Sequence, residues 1–112
     1  MRQALKALSD DTRLRIINIL FHNSLTVNQI CSVLYCKQPA VSKHLVRLRL
    51  LGIVSDKRRG TFIYYSLNRY VEPFEIIKFL IKRFNNLEIF NQDLEKIKQI
   101  KKGSQYDRTA ED

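Results

Sequence analysis

Residues 38–67 read QPAVSKHLVRLRLLGIVSDKRRGTFIYYSL, and this stretch decides the fold because its hydrophobic spacing changes partway along. An apolar stripe at helical spacing occupies the first part, at Val41, Leu45 and Leu48. The stripe ends at Gly52, a residue typical of a helix C-cap. Residues 53–58 and 62–67 then read as two strands, with the turn Arg59-Gly60-Thr61 between them. The stretch therefore predicts a helix followed by a β-hairpin.

The residues before this stretch predict three further helices. Apolar periodicity places them over residues 2–8, 11–21 and 27–35. Ser9-Asp10-Asp11 offers N-cap oxygens to the second helix, and Thr26 caps the third. A tight turn at 36–38 leads into the fourth helix. Pro39 suits its first position, because the missing N–H has no helical partner there.

One long helix is predicted after the hairpin. Its pattern begins near Val71, has Pro73 in the first turn, and keeps an apolar stripe for about 28 residues. Residues 103–112 have no periodicity, and we expect a disordered tail there. The fold class is therefore α+β and mostly helical, a winged helix-turn-helix with the order α-α-α-α-β-β-α. We expect a single domain over residues 1–102.

Composition limits the classes of protein to which the chain can belong. Its 112 residues suit one domain that holds its core without a disulfide or metal. No apolar run is long enough to span a membrane, and Met1–Lys6 lacks the apolar stretch of a secretory signal. Two cysteines do not make a disulfide framework, so we expect a reducing cytoplasm. The net charge of +9 predicts a polyanionic partner.

Most of this charge lies in residues 37–65, where seven Lys or Arg accompany one acid, Asp56. Opposite the apolar stripe of the fourth helix, one face carries Ala40, Lys43, His44 and Arg47. Gln38 and Ser42 flank this face at its N-terminal end, and Lys37 lies in the turn before it. Such a helix fits the DNA major groove, where Gln reads adenine and Lys or Arg reads guanine. The hairpin tip adds candidates for phosphate or minor-groove contact, at Lys57, Arg58, Arg59 and Thr61. We therefore predict binding to double-stranded DNA.

Two other interpretations of the basic residues stay open. They form an ordinary solvated face, or they meet an acidic protein or RNA in a winged-helix interaction module. Duplex binding that weakens steeply with salt and prefers a two-fold-symmetric site would exclude both. An enzyme is disfavoured, because the sequence has no Gly-rich phosphate loop, Ser-His-Asp order or His/Glu metal motif.

Four segments resemble the ArsR/SmtB-type winged-helix repressors. They are ALSDDTRLRI at 7–16, QPAVSKHL at 38–45, LRLLGIV at 48–54 and RRGTFIYYSL at 58–67. The resemblance covers about residues 4–68 and implies base-proximal roles for Gln38, Pro39, Ser42 and Lys43, with Arg58 and Arg59 as wing contacts. It implies a cytoplasmic homodimeric repressor that leaves operator DNA when an effector binds. An effector-independent or MarR-like regulator is the alternative.

The resemblance also implies a dimer interface made by the first and last helices. Independently, the predicted last helix is too long and too apolar to be covered by one small domain. We expect the interface to contain Leu5, Leu8, Phe74, Ile77, Leu80, Ile81 and Phe84.

The effector remains unidentified from the sequence. Metal-sensing members of the resembled family use a Cys-x-Cys cluster at the third helix or Asp and His on the last helix, and this chain has neither pattern. We predict no metal and no cofactor. Cys31 and Cys36 are candidate thiol sensors, or two ligands of a soft-metal site that lacks a third. The alternative is that both are small core residues. A bridge between them requires Cys36 to lie off the helix.

Overall fold

A computed structural model describes residues 2–70, 73–83 and 86–103. The elements in chain order are α1 (Arg2–Ala7), α2 (Asp11–His22), α3 (Val27–Leu34), α4 (Gln38–Leu50), β1 (Val54–Arg59), β2 (Phe62–Leu67), α5 (Pro73–Arg83) and α6 (Glu88–Gly103). This is the predicted winged helix-turn-helix order with one additional helix at the end. No helix in these ranges is both long and apolar enough to cross a bilayer.

Side-chain caps fix where α2 and α3 begin, as the sequence predicts. The Asp10 carboxylate accepts a hydrogen bond from the backbone N–H of Arg13 at 3.0 Å, and this bond lowers the pKa of Asp10. Thr26 and Gln29 form a reciprocal capping box at the start of α3. Each cap satisfies helix N–H groups that have no partner inside the helix.

The helix-turn-helix unit consists of α3, a short turn and α4. Tyr35 ends α3 in the left-handed conformation, with φ of 54°, and redirects the chain toward α4. The apolar stripe of α4 is buried, as predicted, at Val41, Leu45 and Leu48. Because these side chains pack into the core, the opposite face of α4 points away from it.

The hairpin packs against the helices through its base and leaves its tip free. β1 and β2 pair antiparallel from Val54 opposite Leu67 to Arg59 opposite Phe62. Only the pair at the base, Val54 and Leu67, is fully buried, and a bridge between Leu25 and Tyr65 joins the hairpin to the segment between α2 and α3. Gly60 has φ of 61° in the two-residue loop, a value that glycine adopts without strain.

The prediction of a single long helix after the hairpin is wrong, because two helices occupy that region. α5 ends at Arg83, Asn86 and Leu87 are not helical, and α6 begins at Glu88. The apolar periodicity continues through both helices, so the sequence pattern did not register the break. α6 packs against α2 and α3 and buries Phe90 and Ile97. The chain thereby covers much of the apolar stripe itself.

The single chain buries part of the surface predicted for the dimer interface. Leu8, Phe74, Ile77 and Ile81 are core residues of the single chain. Leu5 is exposed and Leu80 is half-buried, whereas Phe84 lies outside the described residues. The predicted tail also changes at its start, since Gly103 is the last residue of α6, and the remaining positions 104–112 lie outside the described residues.

A buried ion pair holds α6 on α2. The Arg15 guanidinium donates through Nε and Nη2 to the two carboxylate oxygens of Asp93, at 2.9 and 2.8 Å. The Asp93 side chain is 0% exposed and the Arg15 side chain is 22% exposed. This hydrogen bonding raises the pKa of Arg15, while partial burial opposes the rise. One turn earlier on α6, the Phe90 carbonyl accepts from the Asn18 amide at 3.4 Å.

Removing Arg15 should destabilise the fold more than removing Asp93. Arg15→Ala leaves a carboxylate buried without its partner and should lower the free energy of unfolding by about 3 kcal/mol or more. Asp93→Ala leaves an arginine that reaches water, so its cost should be smaller. Urea denaturation of both variants measures the difference. A larger loss for Asp93→Ala would contradict this account of the pair.

Candidate nucleic-acid interface

The exposed face of α4 brings together the side chains predicted to contact DNA. Six of them are exposed, at Lys37, Gln38, Pro39, Ala40, Lys43 and Arg47, and two are half-buried, at Ser42 and His44. Gln38 and Pro39 form the first turn of the helix, where the backbone N–H groups are free of helical partners. A helix presented in this way can enter a major groove with its N-terminal residues nearest the bases.

A shallow groove runs beside this face, between α4 and the start of α2. It has a volume of about 450 Å³ and is lined by Arg13, Ala40, Lys43, His44, Val46, Arg47 and Leu50. Sequence reasoning missed three of these residues, Val46, Leu50 and Arg13, and Arg13 is the cation among them. Its Nε donates to the carbonyl of Ala7 at 2.9 Å, which fixes the guanidinium at the end of α1. Only the tertiary structure reveals that this arginine lines the same groove as the α4 cations.

The hairpin tip supplies a second group of cations. Lys57, Arg58, Arg59 and Thr61 are all exposed, as predicted. The Arg58 Nε donates to the carbonyl of Gly60 at 3.3 Å, and the Arg59 guanidinium lies 5.5 Å from the centre of the Tyr64 ring. These contacts hold both side chains near the tip.

The single acid of this region is paired with a neighbouring arginine. Asp56 on β1 accepts from Arg49 on α4 at 3.3 Å, a contact that joins the hairpin to the helix. Across the described ranges no acidic side chain forms an ion pair with the cations of the α4 face or the hairpin tip. Their positive charge is therefore available to an external anion such as a DNA phosphate.

The two cysteines lie next to the start of α4. Cys36 is off the helix, as a contact with Cys31 requires, and its backbone N–H donates to the Cys31 carbonyl at 3.3 Å. Both are free thiols and half-buried. Burial, and then the neighbouring Cys36, raise the pKa of Cys31. Nowhere in the described ranges do three or more His, Cys, Asp or Glu side chains come together as a group that could hold a metal ion.

Taken together, a helix-turn-helix with a basic exposed face and a basic β-hairpin beside it define a winged-helix DNA-binding protein. Residues 10–56 match the model of the family described as "Bacterial regulatory protein, arsR family". The chain is 39% identical over 71 residues to the transcriptional repressor SdpR of Bacillus subtilis, an alignment that covers 63% of this chain and 79% of SdpR.

Further similarities agree with that match. The arsenical resistance operon repressor of Escherichia coli is 36% identical over 70 residues, which cover 62% of this chain and 60% of that repressor. The crystal structure of the repressor PagR of Bacillus anthracis superposes with a TM-score of 0.62 and 38% identity, covering 70% of this chain and 90% of PagR. That of BigR from Xylella fastidiosa gives a TM-score of 0.70 and 28% identity, over 76% of this chain and 83% of BigR.

The chain belongs to the arsR family of bacterial regulatory proteins. It is a DNA-binding transcriptional regulator, and these similarities point to a regulator family and not to an enzyme family.

Proposed function

We propose that this protein represses transcription in the cytoplasm as a homodimer, binds a two-fold-symmetric operator and leaves it when an effector binds. The observation that carries the proposal is the exposed face of α4, which presents Gln38, Lys43 and Arg47 with no ion pair to an acid among the residues that the structure describes. The basic hairpin tip, which we term the wing tip, lies on the element that follows α4 directly. A two-fold dimer would place two α4 helices about one DNA turn, roughly 34 Å, apart.

The two basic elements have different roles in this proposal. Gln38 and Lys43 read base edges, since they lie in the first half of α4 and their side chains are exposed. Arg58 and Arg59 bind phosphates, which carry charge but no sequence. The surrounding contact surface consists of Lys37, Pro39, Ala40, Ser42, His44, Arg47, Lys57 and Thr61, to which we add Arg13.

Alanine variants should separate these roles. Gln38→Ala and Lys43→Ala should each cost roughly 1–3 kcal/mol on the preferred site and relax base preference. Arg58→Ala and Arg59→Ala should weaken binding to all sequences alike and reduce the salt slope by about 1 each. Fluorescence anisotropy measures this on a duplex selected from a random pool and on its single-base variants.

A matched control is Lys98→Ala, which removes one exposed lysine of α6 and should leave binding unchanged. The assignment of roles fails if Arg58→Ala alters base preference while Gln38→Ala alters nothing. Equal competition by RNA duplexes would instead favour an RNA-binding module.

Apolar residues left exposed by the single chain support the homodimer. Leu5 is 52% exposed on α1, Phe79 is 67% exposed on α5, and Leu87 and Ile89 are exposed at the start of α6. We term these four residues the uncovered apolar surface. An apolar cavity of about 280 Å³ adjoins it at Leu87 and is lined by Leu8, Leu14, Leu80, Ile81, Leu87 and Phe90. A second copy would remove this surface from water.

A charge at the centre of the uncovered apolar surface should prevent assembly. Phe79→Asp should sediment as a monomer at micromolar concentration, because an aspartate cannot be buried there without a partner. Phe62→Asp is the control, since it places the same charge at an exposed aromatic of the wing and should stay dimeric. Sedimentation velocity distinguishes the two. A wild-type chain that sediments as a monomer would refute the homodimer.

The cysteine pair is our proposed site for effector sensing by thiol chemistry. Cys36 directly precedes Lys37, the N-cap residue of α4, and its sulfur lies 3.5 Å from the Leu34 carbonyl. A group added to this sulfur, or a bridge to Cys31, would displace the start of α4. If the pair consists only of small core residues, modification has no such consequence.

Modification by peroxide or polysulfide should weaken operator binding. Cys36→Ser should abolish the response. Since the pKa of Cys31 is raised, its thiolate fraction at neutral pH is low, so it should react more slowly than a thiol of the unfolded chain and speed up as pH rises. Mass spectrometry follows modification in parallel with anisotropy. Unchanged DNA binding after full modification of both thiols would refute sensing and favour the alternative that both cysteines are only small core residues.

A further inference from the structure

The wing tip carries two large apolar side chains that are not buried by the protein. Phe62 is 49% exposed and Ile63 is 44% exposed, although both lie within a regular strand. The tip is exposed on both strands, and a Cβ placed on Gly60 would meet no atom within 4 Å. The exposed apolar surface of these two side chains does not contribute to the core, and it is available for contact with a partner.

Strand pairing sets the surroundings of each apolar side chain. Phe62 lies opposite Arg59, and Ile63 lies opposite Arg58, on the other face of the hairpin. Arg59 is held over the ring of Tyr64, on the face that Phe62 shares. Phe62 is therefore the apolar side chain nearest the loop, with the cations Arg58 and Arg59 on the paired strand beside it. An exposed apolar side chain, Phe62, with the cations Arg58 and Arg59 beside it complements a polyanion that has an apolar interior.

We propose that Phe62 is a wedge that enters the DNA minor groove beside the segment bound by α4 and partly unstacks one base step. The proposal rests on the DNA binding proposed above. Proteins of the minor groove insert Phe, Leu or Ile between base pairs and bend the duplex by about 20–90°. The Arg49–Asp56 contact ties the hairpin to α4, so the wing tip reaches the groove next to the one that α4 occupies. A second copy is a poor occupant, because it would bring the same positive charge.

A wedge makes the sequence of the flanking step matter even though no base edge is read there. Pyrimidine–purine steps unstack easily, whereas A-tracts are stiff. Wild-type protein should therefore bind a site with a TA step under the wing more tightly than the same site with an A-tract. Phe62→Ala should lose that discrimination. This indirect readout is distinct from the base contacts of Gln38 and Lys43.

The experiment places 2-aminopurine at successive flanking positions of the selected duplex and follows its fluorescence, together with end-to-end energy transfer as a measure of bending. Wild type should raise the fluorescence at one step and shorten the end-to-end distance. Phe62→Ala should abolish both changes and weaken binding roughly tenfold. Phe62→Leu should retain them, because leucine also serves as a wedge. Ile63→Ala is the matched control and should behave as wild type.

The outcomes separate the wedge from the proposed function. If wild type binds the duplex but no flanking base brightens, or if Phe62→Ala matches wild type, the wedge is refuted and DNA binding stands. An equal loss in Ile63→Ala also refutes it, since the two side chains lie on opposite faces. Phe62-dependent binding to anionic vesicles without a change in the duplex would assign the tip to a membrane surface. Failure of wild type to bind any duplex refutes the proposed function itself.

Discussion

The bidentate contact between Arg15 and Asp93 is the constraint on which the arrangement of this molecule depends. The two residues are 78 positions apart in the chain, and their contact fixes α6 against α2. One turn further along α6, Lys96 donates to the Val33 carbonyl and lies 4.1 Å from the centre of the Tyr35 ring. Tyr35 and Cys36 form the turn that leads into α4. The same helix therefore stabilises the core and restrains the residues that position the DNA-binding helix.

This placement gives a physical route by which an event at the cysteine pair would reach DNA. A displaced Cys36 would move the N-cap of α4, the helix that carries Gln38 and Lys43, which we propose to read base edges. The contacts of Arg15 with Asp93 and of Lys96 with the Val33 carbonyl restrain movement of the rest of the helix-turn-helix.

Much of the local structure follows from short-range signals in the sequence. Asp10 and Thr26 set the starts of α2 and α3, because their side chains satisfy nearby N–H groups. Gly60 in the loop and the change of hydrophobic period define the hairpin, and the α4 stripe assigns its buried and exposed faces. The exposed face of α4 was predictable for the same reason: a residue's side of a helix is fixed by its position in the repeat.

The break between α5 and α6 was not predictable in this way, because both helices keep an apolar stripe and periodicity does not report which neighbour covers it. Only tertiary packing decided that Phe74, Ile77 and Ile81 are core residues and that Arg13 joins the α4 face. The sequence by itself determined the order of the elements through the hairpin and the basic character of one surface, since these depend on local spacing and charge. The tertiary structure decided the partners of α6 and which apolar residues stay uncovered, since those depend on contacts between residues far apart in the chain.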